Sequence, residues 1–451
     1  MLETKKIVAI LVVVAVIAAG IGVAWSVLKD NKERVNIDAA LEVYGNANND
    51  GRIDQADSEI ITDIMLGKKS LEDYPLADAD CNGTVDGGDV VQLGAIINAT
   101  AEKKVNIYHI NHFDGKDEIA ETMYPITSAV ATGAANTILI FKYLGIVDEI
   151  KGFSWAGAPD DFLFSEYRSL ITSDKRLETS ATRMNLEKVS ELVDRDGVSA
   201  VITADNRTYV TNSGEFEAMG VDVVRVTPAA VDSRDYMQTV LMIAFLFDTD
   251  GKGYMNKCMD LIGWYEDFFT DLNDRLGDLK NRVTAVTSSS DRAISSSTSD
   301  YTDVLMAAGA VFPIDKEDWA GSSSKNFNPG DTWIYNYDID YLIPIRTSVA
   351  GAFSWYEGTA VTGGSNTLKG YMNIWNTLEC YRDGNVYVVC GDMPVVLRIA
   401  YVAQILYPDV FGEDFAYGYH LDFVEKFFGW DEDMIKGKPF YVSMSDVGIT
   451  V

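Results

Sequence analysis

A twelve-residue pattern of oxygen-bearing side chains occurs twice near the amino terminus, and no other feature constrains this chain as much. Asn46-Ala-Asn-Asn-Asp-Gly-Arg-Ile-Asp-Gln-Ala-Asp57 aligns position by position with Asp78-Ala-Asp-Cys-Asn-Gly-Thr-Val-Asp-Gly-Gly-Asp89, which starts 32 residues later. Positions 1, 3, 5, 9 and 12 are Asn46, Asn48, Asp50, Asp54 and Asp57 in the first copy. In the second they are Asp78, Asp80, Asn82, Asp86 and Asp89. A hard cation takes roughly six to eight oxygen ligands, and this spacing wraps one loop around it, with the position-7 carbonyls of Arg52 and Thr84 as further donors. Gly51 and Gly83, at position 6, are expected to make the sharp turn. Ile53 and Val85, at position 8, are expected to pack the two loops together. The rival reading, two solvated acidic turns, does not account for a duplicated match of this length. Two bound calcium ions are therefore expected.

The 451 residues carry 37 Lys and Arg against 68 Asp and Glu, a net charge of −31. So acidic a chain repels phosphate backbones, and no basic patch offsets this, so no nucleic-acid partner is expected. Four cysteines, without a C-x-x-C pair, exclude a disulfide scaffold. Cys380 and Cys390 flank a turn-like segment and either pair or pack as free thiols. The three histidines are too sparse for a zinc site, and a strand through His109 and His112 puts them on opposite faces.

Residues 7–28 form 22 uncharged, apolar residues between lysines. At a helical rise that is about 33 Å, enough to cross a hydrocarbon core. The competing secretory signal usually has an apolar core of about 7–15 residues. The expectation is a short cytoplasmic stretch (1–6), a single-pass anchor (7–28), and the bulk of the chain outside the cell.

Each oxygen-rich loop is followed by an apolar helical pattern, at 60–66 and 90–97, and no long helix precedes the second loop. This loop-then-helix order, with Asp at position 12, makes residues 36–99 resemble a dockerin. The resemblance implies a small all-α calcium module and a cohesin domain as partner. The positions that select the cohesin in that family are Gln55-Ala56 and Gly87-Gly88 here, instead of hydroxyl pairs. A calcium-stiffened spacer between membrane and ligand domain is the alternative reading of the same residues.

From residue 104 onward, short β-branched runs alternate with helical stretches, the pattern of an α/β fold with parallel strands. A hairpin is expected around Asp114-Gly115, strands at 129–132, from 150, at 200–203 and 220–226, and helices at 137–144 and 185–192. A helical tract at 236–279 is interrupted near 248–251. After a Ser-rich stretch the α/β pattern resumes with 304–310, 341–345 and 385–389. The segments Thr137-Ile-Leu-Ile-Phe-Lys-Tyr-Leu-Gly-Ile-Val-Asp-Glu-Ile-Lys-Gly152, Met219-Gly-Val-Asp-Val-Val224, Trp375-Asn-Thr-Leu-Glu-Cys-Tyr-Arg-Asp-Gly-Asn-Val-Tyr-Val388 and Ile405-Leu-Tyr-Pro-Asp-Val-Phe411 are similar, in order and spacing, to the solute-binding proteins of iron-siderophore, haem and cobalamin ABC importers. The likeness spans about residues 104–440. It implies two Rossmann-like lobes (104–250 and 284–451) bridged by a long helix (251–283), a metal chelate as ligand, an ABC permease as partner, and no catalysis. A monomer is expected.

Ligands of open α/β sheets lie beyond the carboxyl ends of the strands. The loops there point to Trp155, Arg207, Tyr209, Arg346, Trp355 and Tyr356, together with Trp333 and Tyr335, whose segment either faces the ligand or is a hairpin with its rings on the core. Rings would stack on a planar chelate and the arginines would pair with its acids. The family resemblance also implies acidic residues that dock on the permease: Glu215 or Glu217 in the first lobe, Asp338 or Asp340 in the second. Two other functions remain open: a calcium-dependent cell-surface scaffold or adhesion protein, and a dockerin-bearing carbohydrate-active enzyme. The chain shows no nucleophile elbow, phosphate loop or histidine pair to favour the last.

Overall fold

The computed structural model describes residues 35–133, 135–155, 163, 165–170, 177–180, 183–249, 251–277, 279–290, 292–314, 322–328, 330–346 and 368–451. The apolar run at 7–28, together with Trp355 and Tyr356, lies outside them. Among the described residues no helix is long and apolar enough to cross a membrane.

The chain divides into two units. One takes the chain up to Ala158, Glu166–Pro228 and Asp232–Gly263; the other takes Pro159–Ser165, Ala229–Val231 and Trp264–Val451. The oxygen-rich repeat thus shares a unit with the first lobe.

In the first unit each loop leads directly into a helix, α1 (Gln55–Met65) and α2 (Gly87–Ile97), with only two 3₁₀ turns between them. Ile53 and Val85 pack with Ile60, Ile64 and Ile97 around buried Ala47, Ile61, Ala77, Val90 and Leu93, as expected for position 8. Strands β1 (Val105–Phe113) and β2 (Lys116–Tyr124) form the expected hairpin. Its turn needs two left-handed residues, which Asp114 (φ 52°) and Gly115 (φ 75°) supply. His109 and His112 alternate faces: His109 is buried against Thr122, and His112 reaches Glu42 and Asp117.

A parallel sheet follows, in the order β4-β3-β7-β8, from β3 (Ala129–Gly133), β4 (Ile150–Trp155), β7 (Ala200–Ala204) and β8 (Asp222–Val226). A small ribbon, β5 (Glu178–Ser180) with β6 (Arg183–Met184), lies apart from it. Helices α3 (Ala135–Leu144), α4 (Leu186–Asp196) and α5 (Ser213–Glu217) alternate with these strands. Asn185 caps α4 by accepting from the Lys188 N–H, and left-handed Gly197 ends it. The apolar side of α4 packs Val189 and Leu192 on Val130, Val201 and Val223. The helical tract is two helices, α6 (Ser233–Phe247) and α7 (Tyr254–Gly277), broken at 248–251 as expected. The Asp248 carboxylate accepts from the amides of Gly253, Tyr254 and Met255 and so starts α7. Residues 254–263 of α7 belong to the first unit and residues 264–277 to the second.

In the second unit β9 (Ala285–Val286) pairs in parallel with β13 (Tyr341–Leu342). β14 (Ile345–Arg346) runs parallel to β15 (Tyr387–Cys390), which pairs antiparallel with β16 (Tyr441–Ser443). Pro344, lacking an N–H, separates β13 from β14. The Ser-rich stretch forms β10 (Ser288–Ser290) and β11 (Ala293–Ser295), with β12 (Ser324–Asn326) beside them. Of the run 304–310, Val304–Ala307 close helix α8 (Asp300–Ala307). The remaining helices are α9 (Leu368–Asn373), α10 (Glu379–Arg382), α11 (Val395–Leu406), α12 (Pro408–Phe411) and α13 (Phe415–Phe428). Trp264 of α7 lies edge-on to Tyr419 and Phe423 of α13 and donates to the Asp422 carboxylate at 2.6 Å. All four cysteines are free thiols, so Cys380 and Cys390 pack unpaired.

His112 is held between two carboxylates, 2.7 Å from Glu42 and 2.9 Å from Asp117, and Glu42 also accepts from Gln238 of α6. The bond to Glu42 raises the imidazole to about 9 from an ordinary 6.5. A group whose folded pKa is raised stabilises fully below its unfolded value and loses that contribution as pH climbs through the folded one. Denaturation midpoints should therefore fall between pH 6.5 and 9.5, and His112→Gln should flatten that fall. An unaltered slope in the variant would show that another group carries it.

Candidate metal loops and ligand-facing residues

The two loops share one hydrogen-bond plan. In each, the position-12 carboxylate accepts from the backbone of positions 3 and 9: Asp57 from Asn48 (3.0 Å) and Asp54 (2.7 Å), Asp89 from Asp80 (3.2 Å) and Asp86 (2.7 Å). The position-9 carboxylates of Asp54 and Asp86 cap the following helices through Ala56 and Gly88. Asp57 and Asp89 are fully buried. Burial is the main cause that lifts Asp57 to about 7 and Asp89 to about 6; neighbouring aspartates add to it and the backbone bonds oppose it. A buried carboxylate crowded by others is the donor set that a divalent cation relieves.

The copies differ in charge. In the second, carboxylate oxygens of Asp78, Asp80 and Asp89 lie within 4.8 Å of one another. Asn82 accepts there from both the backbone and hydroxyl of Thr84. In the first, positions 1 and 3 are amides. Asn46 donates to the carbonyls of Leu41 and Asp50, both at 2.7 Å, and Asn48 donates to the Asp50 carboxylate. The expectation for position 6 holds in one loop only. Gly83 is left-handed (φ 89°), whereas Gly51 is not; its missing side chain instead admits Leu241, 3.4 Å from where a Cβ would stand. Both loops take their left-handed turn at position 4, Asn49 and Cys81.

Arg207 sits in the loop after β7, exposed and 3.7 Å from Asp114. Tyr209, two residues on, packs partly buried on the first unit's core. What shapes this loop is Arg225 on β8. Its guanidinium donates to the carbonyls of Ala204 (3.4 Å), Tyr209 (3.2 Å) and Val210 (3.1 Å) and lies over the Phe113 ring. Val210 is a left-handed β-branched residue (φ 48°), a conformation costing about 1–3 kcal/mol, which these bonds hold in place. The backbone of Trp155 ends β4 at the same carboxyl edge of the sheet.

In the second unit, Arg346 ends β14 with its guanidinium 5.2 Å from the Tyr371 ring, and Tyr371 donates to Ser288. The next parallel strand, β15, leads through Asp392 into α11, whose buried Arg398 donates to the Met393 carbonyl at 2.8 Å. Tyr301 lies in the field of Arg398, Arg346, Asp300 and Asp392. Arg346 and Tyr371 thus meet at the carboxyl end of β14, and Arg398 stands on the helix that follows the carboxyl end of the adjacent parallel strand β15. Trp333 and Tyr335 share one short segment. They form a 3₁₀ turn, Trp333–Asn336, and not a hairpin, with Lys325 over the indole and Phe327 edge-on to Tyr335.

Of the four acids, Glu215 is bound by Arg183 through both oxygens, and Asp340 accepts from the backbone and hydroxyl of Thr284. Glu217 and Asp338 are exposed. Sequence reasoning passed over Arg225 and Arg398. Each has a signal: a lone cation inside an otherwise apolar run, Val223-Val-Arg-Val226 and Val395-Val-Leu-Arg-Ile-Ala400.

The comparison with solved structures bears on this arrangement. The molybdate periplasmic binding protein MolA of Haemophilus influenzae superposes with a TM-score of 0.51 at 16% identity, over 69% of this chain and 96% of MolA. The chain has the fold of the periplasmic binding proteins. A TroA-like periplasmic binding protein, FepB, from Veillonella parvula (TM-score 0.48, 13% identity, 70% and 95% covered) and CeuE of Helicobacter pylori in a Ni-His complex (0.49, 13%, 73% and 98%) are also similar. No protein-family model and no curated protein matches the chain.

Within this periplasmic-binding fold Arg225 is a positioning residue. Arg225→Met should leave three carbonyls without their donor, at a cost of roughly 2–3 kcal/mol. Hydrogen exchange at 205–210 should accelerate while the β3 amides stay protected; an unchanged loop would show that Arg225 does not shape it.

Proposed function

We propose that this chain is a membrane-anchored, extracellular solute-binding protein that captures a metal chelate, of the ferric siderophore, haem or corrinoid kind, and delivers it to an ABC importer permease. The observation that carries this reading is the placement of Arg346, over the Tyr371 ring, and of buried Arg398, on the helix after β15, beyond the carboxyl ends of adjacent parallel strands in a periplasmic-binding fold. Guanidinium groups pair with carboxylates and phosphates, and rings stack on planar ligands, so this corner suits an anionic chelate. No bond is made or broken: the residues bind, orient and exclude water. Trp155, Arg207, Trp355 and Tyr356 are proposed as further contacts from their places in the sequence. For docking on the permease, Glu217 and Asp338 are the better acids, because the carboxylates of Glu215 and Asp340 are already engaged.

A thermal-shift panel on the full-length protein, with ferric siderophores, haem, corrinoids and molybdate, tests this. One ligand at about 100 times its Kd should stabilise by about 2.7 kcal/mol, and Arg398→Gln should abolish that shift. No stabilisation by any chelate would favour the scaffold or adhesion reading.

The same proposal assigns two calcium ions to the loops, where calcium would supply the positive charge that the buried carboxylates lack. The second loop brings four carboxylates, Asp78, Asp80, Asp86 and Asp89, and the first brings three, Asp50, Asp54 and Asp57. Calorimetry should resolve a tighter and a weaker site. Asp78→Asn should weaken the tighter one, and loss of the weaker one instead would reverse the assignment.

A further inference from the structure

The loop segment is built into the first unit along three separate contacts. The first is a strap, residues 37–46, that runs beside β1. Val43 bridges His109 in antiparallel sense, the Ile110 amide donates to Glu42 at 2.9 Å, and the Tyr44 amide donates to Tyr108 at 2.8 Å. Ile37, Ala40, Leu41 and Val43 are all buried in it. The second contact is the first loop against the helical tract. Gly51 faces Leu241 of α6 and Met259 of α7, and Arg52 lies within electrostatic reach of buried Cys258. The third is the second loop's helix on the hairpin: Gln92 of α2 donates to the Asn106 carbonyl of β1 at 2.6 Å.

The strap and the first loop are also one hydrogen-bond net. The Leu41 amide donates to the Asp50 carbonyl at 2.8 Å, and the Asn46 side chain holds both the Leu41 and Asp50 carbonyls. Asn46 and Asp50 are positions 1 and 5 of the loop, so a cation that fixes them also fixes the strap, and the strap is what closes the open edge of β1. Glu42 fastens the other side of that strap to His112 and to Gln238 of α6.

We propose that the docking partner of these calcium loops is the chain's own first lobe, and that cation occupancy sets the stability of the β1–β2 hairpin and α6. This rests on the calcium reading above, and it makes the segment an internal brace that couples cation supply outside the cell to the integrity of the first lobe. Because coupling is reciprocal, a variant that loosens the strap without touching a cation ligand weakens cation binding, by up to the factor by which occupancy strengthens the strap.

The test is hydrogen exchange of the full-length protein in calcium and after chelation, with calorimetry of calcium uptake on the same sample. Exchange across Val105–Phe113, Lys116–Tyr124 and Ser233–Phe247 should accelerate about tenfold or more when calcium is removed, with β15 of the second unit unaffected as the internal control. Glu42→Ala should weaken the first-loop calcium site by about fivefold or more. Uptake of two ions with unaltered hairpin exchange, or a Glu42→Ala variant of undiminished affinity, overturns the coupling and leaves the calcium reading standing. Failure to take up calcium at all overturns both.

Discussion

A strand edge presents backbone N–H and C=O groups that must find partners, and the outer edge of β1 is where this chain meets that constraint. The hairpin satisfies one side of β1 with β2. The other side is met at His109 and its neighbours by the strap, through Val43, Glu42 and Tyr44. Everything upstream follows from this: the strap leads within a few residues to Asn46, so the first loop has to lie against α6 and α7, and α2 has to lie on the hairpin. Across the hairpin, Asn111 exchanges hydrogen bonds with Val223 and Arg225, which secures the edge strand β8 in the same way. One two-stranded ribbon therefore ties the oxygen-rich loops to the parallel sheet.

Electrostatics then sorts the acidic excess. Among the described residues few acids are buried, and those in water cost little. Buried ones are handled singly, Asp57, Asp78 and Asp89 by backbone donors and Glu149 by Lys252 and Tyr254, while half-buried Glu42 is held by His112 and Gln238. Of the buried cations among the described residues, Lys142 pairs with the Glu166 carboxylate, while Arg225, under the loop after β7, and Arg398, at the start of α11, donate to carbonyls. Both therefore stand at the carboxyl ends of parallel strands, the position at which open α/β sheets take ligands.

The fold was legible wherever a local rule had a single outcome. Asp114-Gly115 made a hairpin because both residues accept left-handed backbone, and the helix expected from 185 starts at its Asn185 cap, although it runs past the expected end at 192 to Gly197. The break at 248–251 was equally plain. Reading failed where a contact distant in sequence decided. Nothing local says that Gly51 faces Leu241 in place of making a turn, that 304–307 finish a helix, or that Trp333 folds into a 3₁₀ turn beside Lys325. The candidate site divides along the same line. Strand ends pointed the sequence reading to aromatic loops and Arg346, while Arg225 and Arg398 were passed over because a lone arginine in an apolar run reveals its partners only once the carbonyls it serves are in place.

The sequence by itself determined the two oxygen-rich loops, their helices, the α/β alternation and the long helical tract, because spacing, capping and turn residues act over a few positions. Tertiary structure alone decided that the loops belong to the first lobe, that Glu215 and Asp340 are engaged while Glu217 and Asp338 are exposed, and that Arg346 and Arg398 follow adjacent parallel strands of the second unit. These outcomes depend on which backbone edges and buried charges meet across many tens of residues, and no local pattern carries that information.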